Sequence, residues 1–313
     1  MKLNPKQQEA VDLILGAHGY SSNAKSNGPR LGIITGGPGT GKTTVLKWAM
    51  ERLVDGVVLL APTGKAALRL QEVTGAEAYT IHRALLNADF VLHQAALVVV
   101  DEMSMVDTTL FAKLLKAIPR DAGLILVGDS NQLPSVGPGR VFGDVLASGR
   151  VKTVRLVEVQ RAKERSWVCK NAPVILGGDI DLMPASDFVF IPAAEHDKVR
   201  DAVVQTWRKE TEAGRSFQVL APMRRWEIGV EALNAELQRH RVEAALEAET
   251  LDPLDFMATV GARRLWRGDP VIHTKNNYNL GVFNAETGNV AAISKETDRG
   301  ATGLTVVYPG STG

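Results

Sequence analysis

An α/β fold built on a mostly parallel sheet is what this sequence predicts, and three observations predict it. Short apolar runs recur along the chain: "LGIIT", "GVVLLAP", "ALVVVDE", "GLILVGD", "VRLVEV", "DFVFI" and "FQVLAP". Segments with helical apolar spacing separate most of them, the alternation that yields parallel strands covered on both faces. The fourth run stops at Gly128-Asp129 and gives way to a polar, Gly- and Pro-rich turn, "SNQLPSVGPG". In parallel sheets, ligands collect where loops leave the carboxyl ends of the strands, so polar residues at such ends are the first place to look for chemistry.

The elements follow in order. "NPKQQEAVDLIL" has helical spacing, with Asn4 placed to cap and Pro5 in the first turn. "GAHGYSSNAKSNGPR" reads as a mobile surface loop. The 313 residues suit two domains with a small third. With 45% hydrophobic and 23% charged residues the chain has the composition of a soluble globular protein. Its net charge of +1 means that any nucleic-acid contact must come from a local basic track. The single cysteine, Cys169, excludes an intramolecular disulfide framework and suits a reducing compartment. The start "MKLNPKQQEA" has no apolar core of a signal peptide, and no apolar run approaches the ~18 residues of a membrane span. No membrane association and a cytoplasmic location are therefore expected. No Cys/His cluster has the spacing of a structural zinc site.

The first strand end carries the most specific motif. In "GGPGTGKTT", Gly36 is followed by four residues and then Gly41-Lys42-Thr43, after a strand and before a helix. This is a phosphate-binding loop in its required context. The backbone N–H groups of Gly36, Gly37, Pro38-Gly39, Thr40, Gly41, Lys42, Thr43 and Thr44, those that have one, are expected to line a nucleoside triphosphate. The helix N-terminus adds positive potential. Lys42 is expected to reach the β- and γ-phosphates and Thr43 to hold Mg²⁺. In "LVVVDEMSMVD", Asp101 ends a strand where its carboxylate can orient Mg²⁺ through water, and Glu102 is placed to take a proton from attacking water. Gln132, at the third strand end, can hydrogen-bond the γ-phosphate or the water beside it. Together these residues point to hydrolysis of a nucleoside triphosphate.

"APTGKAALRL", "VVVDEMSMVD" and "VGDSNQLPSVGPG" follow the phosphate loop in that order, and in this the chain closely resembles the superfamily 1 helicases of the RecD/Dda type. The resemblance implies two RecA-like domains with ATP between them and movement 5′ to 3′ on single-stranded DNA. It implies a RecA-like ATP-binding domain over 1–150, a partial second RecA-like domain over 151–250 and an SH3-like β insertion over 251–313. "LNPKQQEAV" resembles the segment that reads adenine and sets Gln7 against the base. "APTGKAA" and "TIHRAL" resemble DNA-contacting loops and implicate Thr63, Lys65, Thr80 and His82. "LVEVQRAKERSW" resembles the segment that brings an arginine, here Arg161, to the γ-phosphate; Ala162 stands where the family usually has glutamine.

Two departures qualify the resemblance. Only "ALLNADFVLHQAA" occupies the place of the family's duplex-splitting hairpin, so any pin is short. The family's later Thr-x-His-Lys-x-Gln-Gly and Thr-Arg-Ala segments, the second with another arginine, are absent. The chain therefore reads as C-terminally truncated, or as a reduced form whose missing parts a protein partner supplies. A helicase or translocase is expected. The alternatives are a DNA-stimulated ATPase that remodels nucleoprotein without unwinding, and an ATP-switched clamp subunit. Trp167, Trp226 and Trp266 are expected to be packed in cores, with base stacking the alternative for each. For "MRRW" (223–226), a phosphate track and a solvated turn stay equally open.

Overall fold

Asn4 caps the first helix as its sequence predicts. Its side-chain oxygen accepts from the Gln7 amide at 2.8 Å, and the Gln7 side-chain oxygen accepts from the Asn4 amide at 3.2 Å, a reciprocal capping box. The computed structural model describes residues 3–19, 30–53, 55–158, 166–215, 217–248, 258–260, 263–275, 277, 280, 282, 284, 286–294 and 303–308. The chain divides into two units, residues 1–183 with 276–284, and residues 184–275 with 285–313.

In the first unit the order is α1 (Pro5–His18), β1 (Leu31–Gly36), α2 (Lys42–Met50), β2 (Val57–Ala61), α3 (Gly64–Thr74), β3 (Ala78–Thr80), α4 (Ile81–Leu86) and α5 (Ala88–Val91). There follow β4 (Leu97–Val100), a 3₁₀ turn (Met103–Met105), α6 (Thr108–Ala117), β5 (Gly123–Gly128), α7 (Val141–Ala147), β6 (Lys152–Leu156) and α8 (Trp167–Leu176). The strands form one sheet in the order β3-β2-β4-β5-β1-β6, and every pair in it is parallel.

Period-two alternation divides the sheet's side chains between two cores. Ile34, Val99, Ile125, Val127 and Val154 pack with α1 and α2. Ile33, Val98, Val100, Leu124 and Leu126 pack on the opposite face with Ile81, Leu110, Leu114 and Phe142. Complete burial explains why these strands read as continuous apolar runs, each fully buried side chain stabilising by about 1.5–3 kcal/mol.

The first unit runs past residue 150, because β6 pairs with β1 and buries Val154 and Leu156 in the core shared with α1. The second parallel sheet is not formed among the described residues. "DFVFI" has one bridge, Ala185 to Phe188, with Val189 and Ile191 exposed, and 217–222 has no regular structure. An apolar run becomes a strand only beside neighbours that complete its ladder, and no described segment supplies them.

The second unit contains α9 (His196–Glu212), α10 (Val230–Glu247) and two small antiparallel sheets. One pairs β7 (Ala258–Val260) with β8 (Arg263–Leu265); the other has the order β11-β10-β9, from β9 (Pro270–Ile272), β10 (Thr287–Ser294) and β11 (Gly303–Val307). Asp269, buried, ties α10 to the turn after β8: it accepts from Arg241 Nη2 at 2.6 Å and from the Trp266 amide at 2.7 Å. Trp226 is 52% exposed and meets His196 edge-on, which overturns the core packing expected for it. Among the described residues no helix is long and apolar enough to cross a membrane.

Candidate active site

Gly41 shapes the phosphate loop. Its φ of 91° lies in the left-handed region, and a Cβ there would collide with the Gln7 amide nitrogen, so only glycine fits. As the N-cap of α2 it has no side chain to offer. The first-turn amides of α2 therefore have no side-chain cap, the arrangement that suits an anion. Lys42 Nζ donates to the carbonyls of Gly36 at 2.6 Å and Gly37 at 3.1 Å, which holds its ammonium over the loop. Thr40 Oγ1 donates to the Gly37 carbonyl at 2.8 Å and tightens the turn. Thr43 and Thr44 sit in the first turn of α2, partly exposed.

Gln7 has a role that its sequence position did not disclose. It is fully buried, and its Nε2 donates to the Thr40 carbonyl at 3.3 Å while its oxygen serves the capping box. It braces the loop from α1.

Topology brings the carboxylates to the loop. Thr35 of β1 pairs with Gly128 of β5, and Leu126 of β5 with Val100 of β4. Asp129 and Asp101 thus extend neighbouring strands, on the face that Val127 and Val99 present to α2. Both are buried. Asp129 Oδ1 accepts from the Asn131 amide at 2.9 Å and sets the turn that leads to Gln132. Asp129 and Arg69 were assigned no role from the sequence. Period-two spacing from Val127 could have found the first; the second, on α3, needed the fold to bring its charge to Asp101.

Burial pushes the Asp101 carboxyl up to about 6, against the Glu102 amide bonded to it at 2.9 Å and the positive charges of Lys42 and Arg69; the neighbouring Glu102 carboxylate raises it further. A buried, acceptor-rich carboxylate beside a hydroxyl-bearing helix turn has the oxygen donors that Mg²⁺ prefers, so Asp101 and Thr43 fit the metal expected of them. The folded value lies above the unfolded one of 3.8, so the folded chain holds this proton more tightly. The stability it contributes is present below about pH 4 and is lost as pH rises through about 6. Asp101→Asn keeps the acceptor for Glu102 without the charge. Without metal it should exceed the parent in stability by about 3 kcal/mol at pH 7.5, and by only about 1 kcal/mol at pH 4.5. Urea unfolding at both values checks this; an equal difference at both would remove burial as the cause.

Glu102 adopts φ 51°, the one positive value at a non-glycine among the described residues. Strain of this kind concentrates at functional sites. Gln132 is exposed, and its oxygen accepts from Ser104 Oγ at 3.0 Å.

The expected DNA residues follow β2 and β3, strands separated from β1 in the sheet order by β4 and β5. Thr63 follows β2 and caps α3, accepting from the Ala66 amide at 3.3 Å. Thr80 ends β3 and caps α4, accepting from the Arg83 amide at 3.2 Å. Its side chain is buried, whereas Lys65 and His82 are exposed. The segment in place of a hairpin forms the end of α4 and α5, with Leu86 and Phe90 almost fully exposed. Arg161 lies outside the described residues.

A family model described as an AAA domain matches residues 2–187. The ATP-dependent RecD2 DNA helicase of Deinococcus radiodurans is 33% identical over 274 residues, covering 84% of this chain and 36% of that protein. The RecBCD enzyme subunit RecD of Mycolicibacterium smegmatis is 32% identical over 320 residues, covering 84% of this chain and 55% of that protein. The chain thus spans roughly a third to just over half of these relatives. Among solved structures, Bacteroides Pif1 bound to ssDNA superposes with a TM-score of 0.51 at 16% identity, covering 97% of this chain and 74% of that one. That likeness is one of fold.

Proposed function

This chain belongs to the AAA domain family and is related to the RecD-type superfamily 1 helicases, and we propose that it is an ATP-driven DNA motor. It couples ATP hydrolysis to movement on single-stranded DNA, 5′ to 3′, and to strand separation. The observation that carries this reading is the uncapped phosphate loop beside two buried carboxylates on neighbouring strand ends. The names of the relatives, a RecD2 DNA helicase and a RecBCD subunit, support DNA as the partner.

Each residue has a distinct task. Lys42 exchanges the Gly36 and Gly37 carbonyls for β- and γ-phosphate oxygens. Thr43 and Asp101 would hold Mg²⁺, which when bound would neutralise the phosphate oxygens. Glu102 takes the proton of the attacking water, and Gln132 meets the γ-phosphate. Arg161, outside the described residues, is the arginine we assign to the γ-phosphate on the resemblance of its segment. The small antiparallel sheets of the second unit support the SH3-like insertion over 251–313. A free cysteine, Cys169, suits a cytoplasmic motor.

The helical segment in place of a hairpin favours a second reading, a DNA-stimulated ATPase that remodels nucleoprotein without unwinding. ATP turnover with and without single-stranded DNA, beside fork unwinding, separates the two: both are expected to be positive for a helicase. Turnover indifferent to DNA would overturn both.

Single-strand binding should be tolerant of sequence and weaken steeply with salt, because phosphate contacts release counterions. Lys65, exposed in the first turn of α3, is expected to meet a phosphate. Lys65→Ala should lower the slope of log affinity against log salt by about one. An unchanged slope would return Lys65 to the solvated surface.

A further inference from the structure

The loops that carry Glu102 and Gln132 are joined at two places. Near Glu102, Ser104 in the 3₁₀ turn donates its hydroxyl to the Gln132 side-chain oxygen at 3.0 Å. Farther on, the Thr108 amide donates to the Pro138 carbonyl at 3.0 Å. There Gly137 lies so near Asp107 that any Cβ would overlap its carboxylate. Within the second loop, Ser135 Oγ lies 3.0 Å from the carbonyls of both Gly137 and Gly139. The distal junction fixes the loop's backbone on the start of α6; the proximal one fixes a side chain.

That side chain is exposed and would otherwise rotate freely, which costs entropy whenever it is immobilised. Its amide has an accepting end and a donating end. Phosphate oxygens accept only, so a glutamine that meets them must present its NH₂. A hydroxyl donated to the oxygen assigns that orientation before any phosphate arrives.

We propose that Ser104 is a positioning residue that presets the Gln132 amide, its NH₂ free for the terminal phosphate, and couples it to the turn bearing Glu102. The inference rests on the nucleotide-site reading above and deepens it: Ser104 sharpens the distinction between a nucleoside triphosphate and a diphosphate.

The test compares the parent with Ser104→Ala, Ser104→Thr, Gln132→Ala and the double variant Ser104→Ala/Gln132→Ala. Two quantities are read: the ratio of affinities for Mg·AMP-PNP and Mg·ADP, and kcat and KM for DNA-stimulated turnover. Ser104 is only partly buried, so melting temperatures should stay near the parent's. Ser104→Ala should reduce the triphosphate preference and kcat by about 3–10-fold, the scale of one hydrogen bond, with KM for ATP rising no more than the triphosphate affinity falls. Ser104→Thr keeps a hydroxyl and should restore both. The double variant should lose no more than Gln132→Ala alone, since the two residues act as one unit. Losses that multiply in the double variant, a threonine no better than alanine, or a triphosphate preference equal in all five proteins would each overturn the proposal. A parent that binds both nucleotides but never turns over with DNA sinks the motor reading, and the affinity ratio still judges Ser104.

Discussion

Glu102→Gln should bind Mg·ATP as tightly as the parent and hydrolyse it about 10²–10⁴-fold more slowly, the range that a positioned general base contributes. The amide preserves the size and hydrogen-bonding reach of the side chain but cannot take a proton. Backbone geometry strengthens the expectation. Glu102 holds φ 51° between Asp101, whose carboxylate bonds its amide, and the 3₁₀ turn that starts at Met103. That conformation costs about 1–3 kcal/mol at a non-glycine residue. A plain turn could be made with glycine or asparagine at no such cost, so the strain is best explained by the need to aim this side chain. Single-turnover hydrolysis beside equilibrium binding of ATP checks both halves. Turnover at the parental rate would place the base elsewhere, and Asp129, buried on the next strand, would be the first candidate.

Lys42→Ala should weaken Mg·ATP binding by about 10²-fold or more, because it removes charge-assisted hydrogen bonds worth about 1.5–3 kcal/mol each. Its ammonium now spans the Gly36 and Gly37 carbonyls, so the loop is held in shape by the group that later meets the phosphates. Alanine removes both the future ligand and the present clasp. Lys42→Arg separates these effects: its wider, planar head keeps the charge but not the compact fit, and it should bind more weakly than the parent while retaining more affinity than alanine. Calorimetric titration with Mg·ATP and Mg·ADP measures each. Equal affinities in parent and Lys42→Ala would dismiss the phosphate-loop assignment.

The sequence by itself determined the elements of the first unit and the residues at their ends. A strand such as "LVVVDE" writes its burial and its termination into adjacent letters, and a glycine-rich loop before a helix defines a phosphate site through backbone geometry alone. That these strand ends share one edge of the sheet was legible as well, because parallel strands deliver their carboxyl ends to one edge. The strand order was left to the tertiary structure, since pairing is a long-range matter that periodicity does not encode. That order set Asp129 beside the phosphate loop and stitched β6 into the first sheet beyond residue 150. Only packing could bury Gln7 as a brace, raise the Asp101 carboxyl, expose Trp226 and join Ser104 to Gln132. The expected strands "DFVFI" and "FQVLAP" show the same division from its failing side. Their letters carry apolar content, but a strand exists only when other segments complete its hydrogen bonds.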